Sequence, residues 1–427
     1  MARDTKKELR NQVMYSIYVR NYSEEGTFNA IKNDLNRIKK LGVDVIWFLP
    51  IHPIGTAERK GTLGSPYAIS DYYAVNPELG CIEDFKELVS AIHENGMKCI
   101  IDVVYNHTSP DSWLALNHPE WFYKKEDGSF GNRIGEWWDI IDLDYNQPQL
   151  WDYLIDCLKY WAGIVDGFRC DVAPLIPLDF WLRARKEISE FKDDFLWLSE
   201  SVEPSFTISN RSRGMTSLSD SEIFEAFDVS YEYDIFNDFI ECVEFKIPVD
   251  KYAEKVNMQE YIYPDNFVKL RYLENHDRAR IKSIIKNEAA LINMTAFVYF
   301  QKGMTLIYAG QETENDNRPC LFNKDTVKWD TGNDLSDTMS RLYEIKKNPI
   351  FTNSTYEVTS PADDIIFATH KHDDKTIIGI FSIRGATSTI PVEITDGSYT
   401  NQINGETFII KNGKISFTGT PIIFTPN

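Results

Sequence analysis

Positive charge is in short supply in this chain. Lys and Arg number 45 against 65 Asp and Glu, leaving a formal charge of -20 and a pI near 4.8. So acidic a surface repels nucleic acid and anionic membranes, so neither is expected as a partner; a neutral or cationic one is. Long apolar runs are missing too. No segment approaches the roughly 18 uninterrupted apolar residues that a membrane span needs. The opening "MARDTKKELRNQ" has no apolar stretch of the secretory kind. A cytoplasmic location is therefore expected, a signal peptide removed beforehand being the alternative. The six cysteines, at 81, 99, 157, 170, 242 and 320, form no CxxC and no metal-type spacing. That argues against a disulfide framework or zinc site and for free thiols in a reducing compartment. Internal repeats, low-complexity tracts and charged tails are absent as well. Aromatic residues, by contrast, are plentiful, with 10 Trp and 22 Tyr. The surplus suits stacking on sugar rings, although bulky core packing is the commoner use.

With 427 residues, the chain has room for a large core and two or three domains. Its first part alternates helix-like and strand-like blocks. "GTFNAIKNDLNRIKKLG" spaces Phe28, Ile31, Leu35 and Ile38 along one helical face and stops at Gly42. "VDVIWFLPI" follows as a strand. "EDFKELVSAIHENG" repeats the device with Phe85, Leu88, Val89 and Ile92, and "KCIIDVVYNH" is the next strand. A helix over "PQLWDYLIDCLKYWAG" precedes "VDGFRCDV", and "DFWLRARKEISEF" precedes "FLWLSES"; "NFVKLRYLENHD" and "GMTLIYAGQE" are later strands. Strands apolar on both faces, alternating with helices, mark a parallel sheet covered by helices. About eight of them over roughly 340 residues fit an α/β fold of the (β/α)8 TIM-barrel type. A doubly wound open sheet is the alternative, but it would want a GxGxxG after its first strand, and "YSIYVRNYSEEG" has none.

Two excursions interrupt the alternation, one from His107 to about Gln147 and one from Ser201 to about Asp265. From about Pro349 short alternating strands take over, as in "KTIIGIFSIRG" and "TFIIKNGKISFTG", with Asn412-Gly413 as a hairpin turn. The expected organisation is a catalytic barrel over 1–348, with a short inserted segment 108–147 after the third strand. A C-terminal antiparallel β domain, sandwich-like, is expected over 349–427.

The stretch "VDGFRCDVA" holds the most informative anomaly. Alternation places Gly167, Arg169 and Asp171 on one face and Phe168, Cys170 and Val172 on the other. Burying either charge alone costs several kcal/mol, so Arg169 and Asp171 are either a structural ion pair or a working site. The neighbouring strands decide between these. In a barrel the site lies at the C-terminal strand ends. There the chain delivers Asn106-His107, then Arg169 and Asp171, then Glu200, then His276-Asp277. Each alone has a bland reading, such as a satisfied histidine or a helix-capping glutamate. Together they bring three carboxylates, a guanidinium and two imidazoles to one mouth, with no obvious structural purpose.

Retaining glycoside hydrolysis wants this set: one carboxylate as nucleophile and one carboxylic acid as proton donor, about 5–5.5 Å apart. Arg169 beside Asp171 favours an ionised nucleophile. Glu200, preceded by "FLWLS" and facing other carboxylates, suits the group that keeps its proton.

These residues also carry a resemblance. "DVVYNH", "GFRCDVA", the Glu of "WLSES" and "ENHD" resemble, in order, the four catalytic-region motifs of the α-amylase family of retaining α-glucan hydrolases and transglycosidases. "GVDVIWFLPI", "PYAISDYYAVNPELG" and the region from "GQE" through "PCLFNKDTVKW" are similar to its second-strand, following-loop and eighth-strand regions. The resemblance implies that Asp171 is the nucleophile, Glu200 the general acid/base and Asp277 the third carboxylate, holding substrate hydroxyls. It implies that Arg169 fixes the nucleophile, that Asp102 pairs with Arg169, and that His107 and His276 bind hydroxyls of the sugar at the cleavage point. Tyr67 is implied to stack beneath that sugar, a packed loop tyrosine being the bland alternative.

Some features depart from the family pattern. Calcium-binding members use the asparagine matched by Asn106, with an aspartate of the inserted domain and a carbonyl often from a His after the nucleophile. "DVAPLIP" has no His there, so no cofactor is expected to be required. "IIDLD" at 140–144 matches neither "QPDLN" nor "MPKLN", the motifs that separate α-1,6-cleaving exo-enzymes from neopullulanase-like ones, so bond specificity stays open. The expected activity is hydrolysis of α-1,4-glucosidic bonds in maltooligosaccharides and starch-type α-glucans. A transglycosylase or α-1,6-acting relative, and a non-catalytic sugar-binding relative, are the alternatives. A metal-dependent barrel hydrolase would want a shared His/carboxylate site, and no HExxH appears. The short insert, and the absence of tryptophan after Trp329, predict better action on soluble oligosaccharides than on granular starch.

Overall fold

The computed structural model describes residues 2 and 4–426. Eight parallel strands close into a barrel: β1 (Val13–Ile17), β2 (Val45–Phe48), β3 (Lys98–Val103), β4 (Gly167–Cys170), β5 (Leu196–Ser199), β6 (Val229–Tyr231), β7 (Lys269–Arg271) and β8 (Met304–Tyr308). Each pairs with its neighbours in chain order, and β1 returns to β8 in the register Val13↔Thr305 to Ser16↔Tyr308. The predicted helical faces are the buried ones. Phe28, Ile31, Leu35 and Ile38 face inward from the helix Phe28–Lys40, as do Phe85, Leu88, Val89 and Ile92 from Ile82–Glu94. Each such side chain contributes about 1.5–3 kcal/mol by leaving water. Thr27 caps the first helix through Ala30 N–H, and Gly42, at φ +85°, turns the chain toward β2.

The first excursion leaves β3 through a two-residue strand, His107–Thr108. It returns through Ile141–Asp142, paired antiparallel to it as His107↔Asp142. His107 therefore stands where the inserted segment is stitched to the barrel. The second excursion is a different matter. The expectation of one long interruption from Ser201 to Asp265 is corrected, because barrel strand β6 lies inside it. Val229 and Tyr231 alternate with buried Ser230 and Glu232, so the segment lacks the continuous apolar run of its neighbours. Buried partners compensate: Arg271 of β7 donates to Glu232 at 2.9 Å, and Lys269 lies 3.1 Å from Asp234.

Beyond the barrel, strands Thr355–Thr359, Ile365–His372, Lys375–Ser382 and Ile422–Phe424 form one antiparallel sheet. Strands Ser388–Pro391, Gly397–Thr400, Thr407–Lys411 and Lys414–Phe417 form another. Ile380, Ile390, Tyr399, Ile415 and Phe424 pack between them. Asn412 and Gly413, both at positive φ, make the predicted tight turn. All six cysteines are free.

Candidate active site

Strand pairing builds the centre of the site. The β3–β4 register sets Asp102 beside Arg169, and both are fully buried inside the barrel. Arg169 Nη1 donates to Asp102 Oδ1 at 2.8 Å and Oδ2 at 3.0 Å, and to Asp171 Oδ1 at 2.8 Å. Its Nη2 lies 2.9 Å from Glu200 Oε2. That is close enough for a charge contact but off the line of an N–H···O bond, since Nη2 has no hydrogen-bond partner. Nε donates to the Tyr231 hydroxyl at 3.3 Å, and the guanidinium sits between the rings of Trp47 and Tyr231, 5.2 and 5.5 Å from their centroids. One cation thus faces three carboxyl groups in a dry, aromatic-walled space. Gly167, two residues earlier, is required: a Cβ there would collide with the Leu196 carbonyl of β5.

Just past β4 the backbone folds sharply. Val172 adopts φ 35° and ψ 42°, a left-handed conformation that is costly for a β-branched residue. In this pose its N–H donates to Glu200 Oε2 at 2.8 Å. The strained turn therefore ties the end of β4, which bears Asp171, to the end of β5, which bears Glu200. Burial pushes both carboxyls up, against the pull of Arg169. Asp171 rises to about 7, with Asp102 adding to the burial effect. Glu200 rises to about 8, with Asp171 and Asp277 adding to the burial effect.

The turn after β7 is shaped by Asn275 Oδ1, which accepts from the N–H groups of Asp277 and Arg278. It presents His276 and Asp277. Burial acts to raise Asp277, but His276, Arg169 and Arg278 outweigh it and hold the carboxyl down at about 2. His276 Nε2 is 3.0 Å from Asp277 Oδ2 and 2.6 Å from the Tyr67 hydroxyl. Tyr67 also donates to Asp102 Oδ2 at 3.1 Å and stacks on His276 with rings 5.6 Å apart. His107 Nε2 lies 4.0 Å from Asp171 Oδ2, and burial lowers its pKa to about 3, with Lys60 adding to the effect. All eight residues singled out in the sequence for catalysis and sugar binding therefore meet in one place.

Five of them, Tyr67, His107, Asp171, Glu200 and Asp277, line a cavity of about 270 Å³. Its outer wall was not foreseen: Lys60, Trp137, Asp139 and Phe322 line it. Tyr231 beneath Arg169 was also missed. The "WW" at 137–138 was a legible hint, an aromatic pair within a polar excursion; Phe322 lay in a segment similar to the family's eighth-strand region but was not singled out, and Lys60 carried no signal.

Asn106, the implied calcium ligand, faces a separate cavity with Asp142, Asp144 and the Arg133 side chain. Asp142 Oδ2 accepts from Arg133 N–H at 2.7 Å, and the Arg133 guanidinium lies 3.6 Å from the same oxygen and 3.4 Å from the Leu143 carbonyl. Asp144 is turned to Asn146 and Gln147. Calcium takes six to eight oxygens, usually with several carboxylates. This cavity offers one free carboxylate oxygen beside a fixed positive charge, so the residues do not fit a calcium ion. Among the described residues no three His, Cys, Asp or Glu are grouped to hold any metal. The His370/His372 pair of the C-terminal domain is no exception, because His370 is taken by Ser354 and the Phe300 carbonyl.

Comparison with known proteins places the fold within a family. The α-amylase catalytic-domain model matches residues 12–129 and 115–356, and the bacterial α-amylase C-terminal-domain model matches 357–424. The structure is similar to that of an α-amylase from Lactobacillus plantarum, with 43% identity and TM-score 0.97 over 99% of this chain and 100% of that one. It is similar to a noncanonic maltogenic α-amylase from Thermotoga neapolitana, with 31% identity and TM-score 0.88 over 98% and 99%. An α-amylase of Haloarcula japonica is 26% identical over 93% of this chain, which spans only 58% of that protein's length. The chain belongs to the α-amylase family.

Proposed function

We propose that the protein is a retaining α-glycoside hydrolase that cleaves α-1,4-glucosidic bonds of maltooligosaccharides, with Asp171 as nucleophile and Glu200 as general acid and base. The observation that carries this reading is the unequal treatment of two carboxyls by one guanidinium. Arg169 donates in line to Asp171 and only approaches Glu200, so the negative charge is held on Asp171 and the proton on Glu200.

In the first step Glu200 gives its proton to the glycosidic oxygen. The C1–O bond breaks as Asp171 Oδ attacks C1, forming a glycosyl ester and releasing the shortened glucan. In the second, the ionised Glu200 takes a proton from water, whose oxygen attacks C1 and restores Asp171. In this reading Asp277, held ionised at about 2, and His107 hold hydroxyls of the ring being cleaved, Tyr67 offers it a face, and His276, buried behind them, steadies Tyr67 and Asp277. No step calls for a metal. The six free thiols favour a reducing compartment, where the substrate is soluble oligosaccharide.

Incubation with maltotriose, maltoheptaose, isomaltose and granular starch tests the reading. Release of new reducing ends from the two maltooligosaccharides, with isomaltose inert and starch poorer per bond, is expected. Inert maltooligosaccharides, or isomaltose as the better substrate, would overturn it.

A further inference from the structure

We infer that Lys60, paired with Asp139 across the mouth of the site, closes the end of the cleft that receives the non-reducing side of the substrate, and so makes the enzyme exo-acting. The inference rests on the hydrolase reading and adds the direction from which a glucan is cut.

The position of the wall follows from topology. Glu200 stands at the end of β5. In an eight-stranded ring, β5 lies opposite β1, and the strands flanking β1 are β8 and β2. Lys60, from the segment after β2, and Phe322, from the segment after β8, come from that far side, and Trp137 and Asp139, from the insert after β3, meet them from a quarter-turn away. The leaving group departs toward the acid that protonates it, on the β5 side. The sugar attacked at C1 therefore points its O4 end at the wall.

The wall is fastened on every side. Lys60 Nζ meets Asp139 Oδ1 at 2.7 Å, both largely buried, and lies over the rings of Trp138 at 4.5 Å and Phe322 at 5.7 Å. Thr62 N–H and Oγ1 donate to Asn323 Oδ1 at 2.9 and 2.8 Å, and Leu63 N–H donates to the Phe322 carbonyl at 3.0 Å. Gly61, at φ +62°, is demanded by this closeness, since a Cβ would lie 2.6 Å from the Phe322 oxygen. Isolated surface pairs contribute little, but this one is shielded from water and joins two loops that share no backbone pairing through it. The cavity that these residues share with Asp171, Glu200 and Asp277 holds about 270 Å³.

The test compares maltoheptaosides carrying a chromogenic aglycone, with the terminal 4- and 6-hydroxyls either free or blocked by an ethylidene group. Cleavage is read at internal bonds by chromatography as well as by colour. The wild type should cut the free substrate into one dominant short product from the non-reducing end and leave the blocked one essentially intact. Lys60→Ala and Asp139→Asn should each raise the blocked-to-free ratio by about tenfold or more and broaden the product range. The ratio is insensitive to the fraction of folded enzyme. A wild type that cuts blocked and free substrates alike, or variants whose ratio and products match wild type, would overturn the inference. Failure to cut even the free substrate would instead sink the hydrolase reading.

Discussion

Arg169 Nη1 reaches Asp171 Oδ1 at 2.8 Å from two residues earlier in the chain, so the cation and the carboxylate it holds move as one unit with the end of β4. The same nitrogen holds Asp102. Removal of the Asp171 charge thus leaves Arg169 still paired, and Asp171→Asn should fold normally. It should lose roughly three or more orders of magnitude in kcat, because an amide cannot form the glycosyl ester. Steady-state kinetics beside a melting curve check this; more than about a tenth of wild-type turnover would take the nucleophile's role from Asp171.

Glu200→Gln should discriminate between leaving groups. A glycosyl fluoride or nitrophenyl glycoside needs little protonation, so its first step should be spared relative to that of maltoheptaose. Pre-steady-state rates on both substrates give the comparison. Equal losses would argue against Glu200 as the acid.

The pH profile of kcat/KM should be a narrow bell. Its acid limb reports Asp171, pushed up to about 7 by burial and by Asp102 against the pull of Arg169; activity falls with pH as the nucleophile is protonated. Its alkaline limb reports Glu200, at about 8, and activity falls with rising pH as the acid loses its proton. The limbs belong to the coupled group. Glu200→Gln assayed on a glycosyl fluoride should lose the alkaline limb and keep the acid one.

Arg133 lies beside Asp142 in the cavity that Asn106 faces, and we propose that its positive charge makes a calcium ion there unnecessary. The wild type should therefore melt at the same temperature in chelator and in millimolar calcium. Arg133→Met should melt several degrees lower and show a higher KM, since the Ile141–Asp142 strand it steadies pairs with His107. Scanning calorimetry with and without calcium decides it, and a wild type that calcium stabilises would refute it.

How far the sequence foretold the molecule depended on whether chemistry or packing placed each residue. Arg169 and Asp171 were legible because charges in an apolar strand are expensive and invite a reason, Glu200 and Asp277 because they fall at strand ends beside them, and Asp102 only through the family resemblance. Strand β6 was not legible: its inward Val229 and Tyr231 alternate with Glu232, which is paid for by Arg271 from a neighbouring strand, and no local pattern reports such a partner. Lys60 was invisible for a related cause. Its meaning lies in Asp139, which is remote in sequence and adjacent only once the insert is folded against the segment after β2. Arg133, which stands beside Asp142 in the cavity that Asn106 faces, was flagged by no motif.

The stereochemistry of the first product tests the central claim most directly. Proton NMR recorded immediately after maltoheptaose is cut, before mutarotation, reports the anomer released. Two displacements at one carbon, the first by Asp171 and the second by water, give the α anomer. A β anomer would mean a single displacement by water and would contradict the covalent role assigned to Asp171.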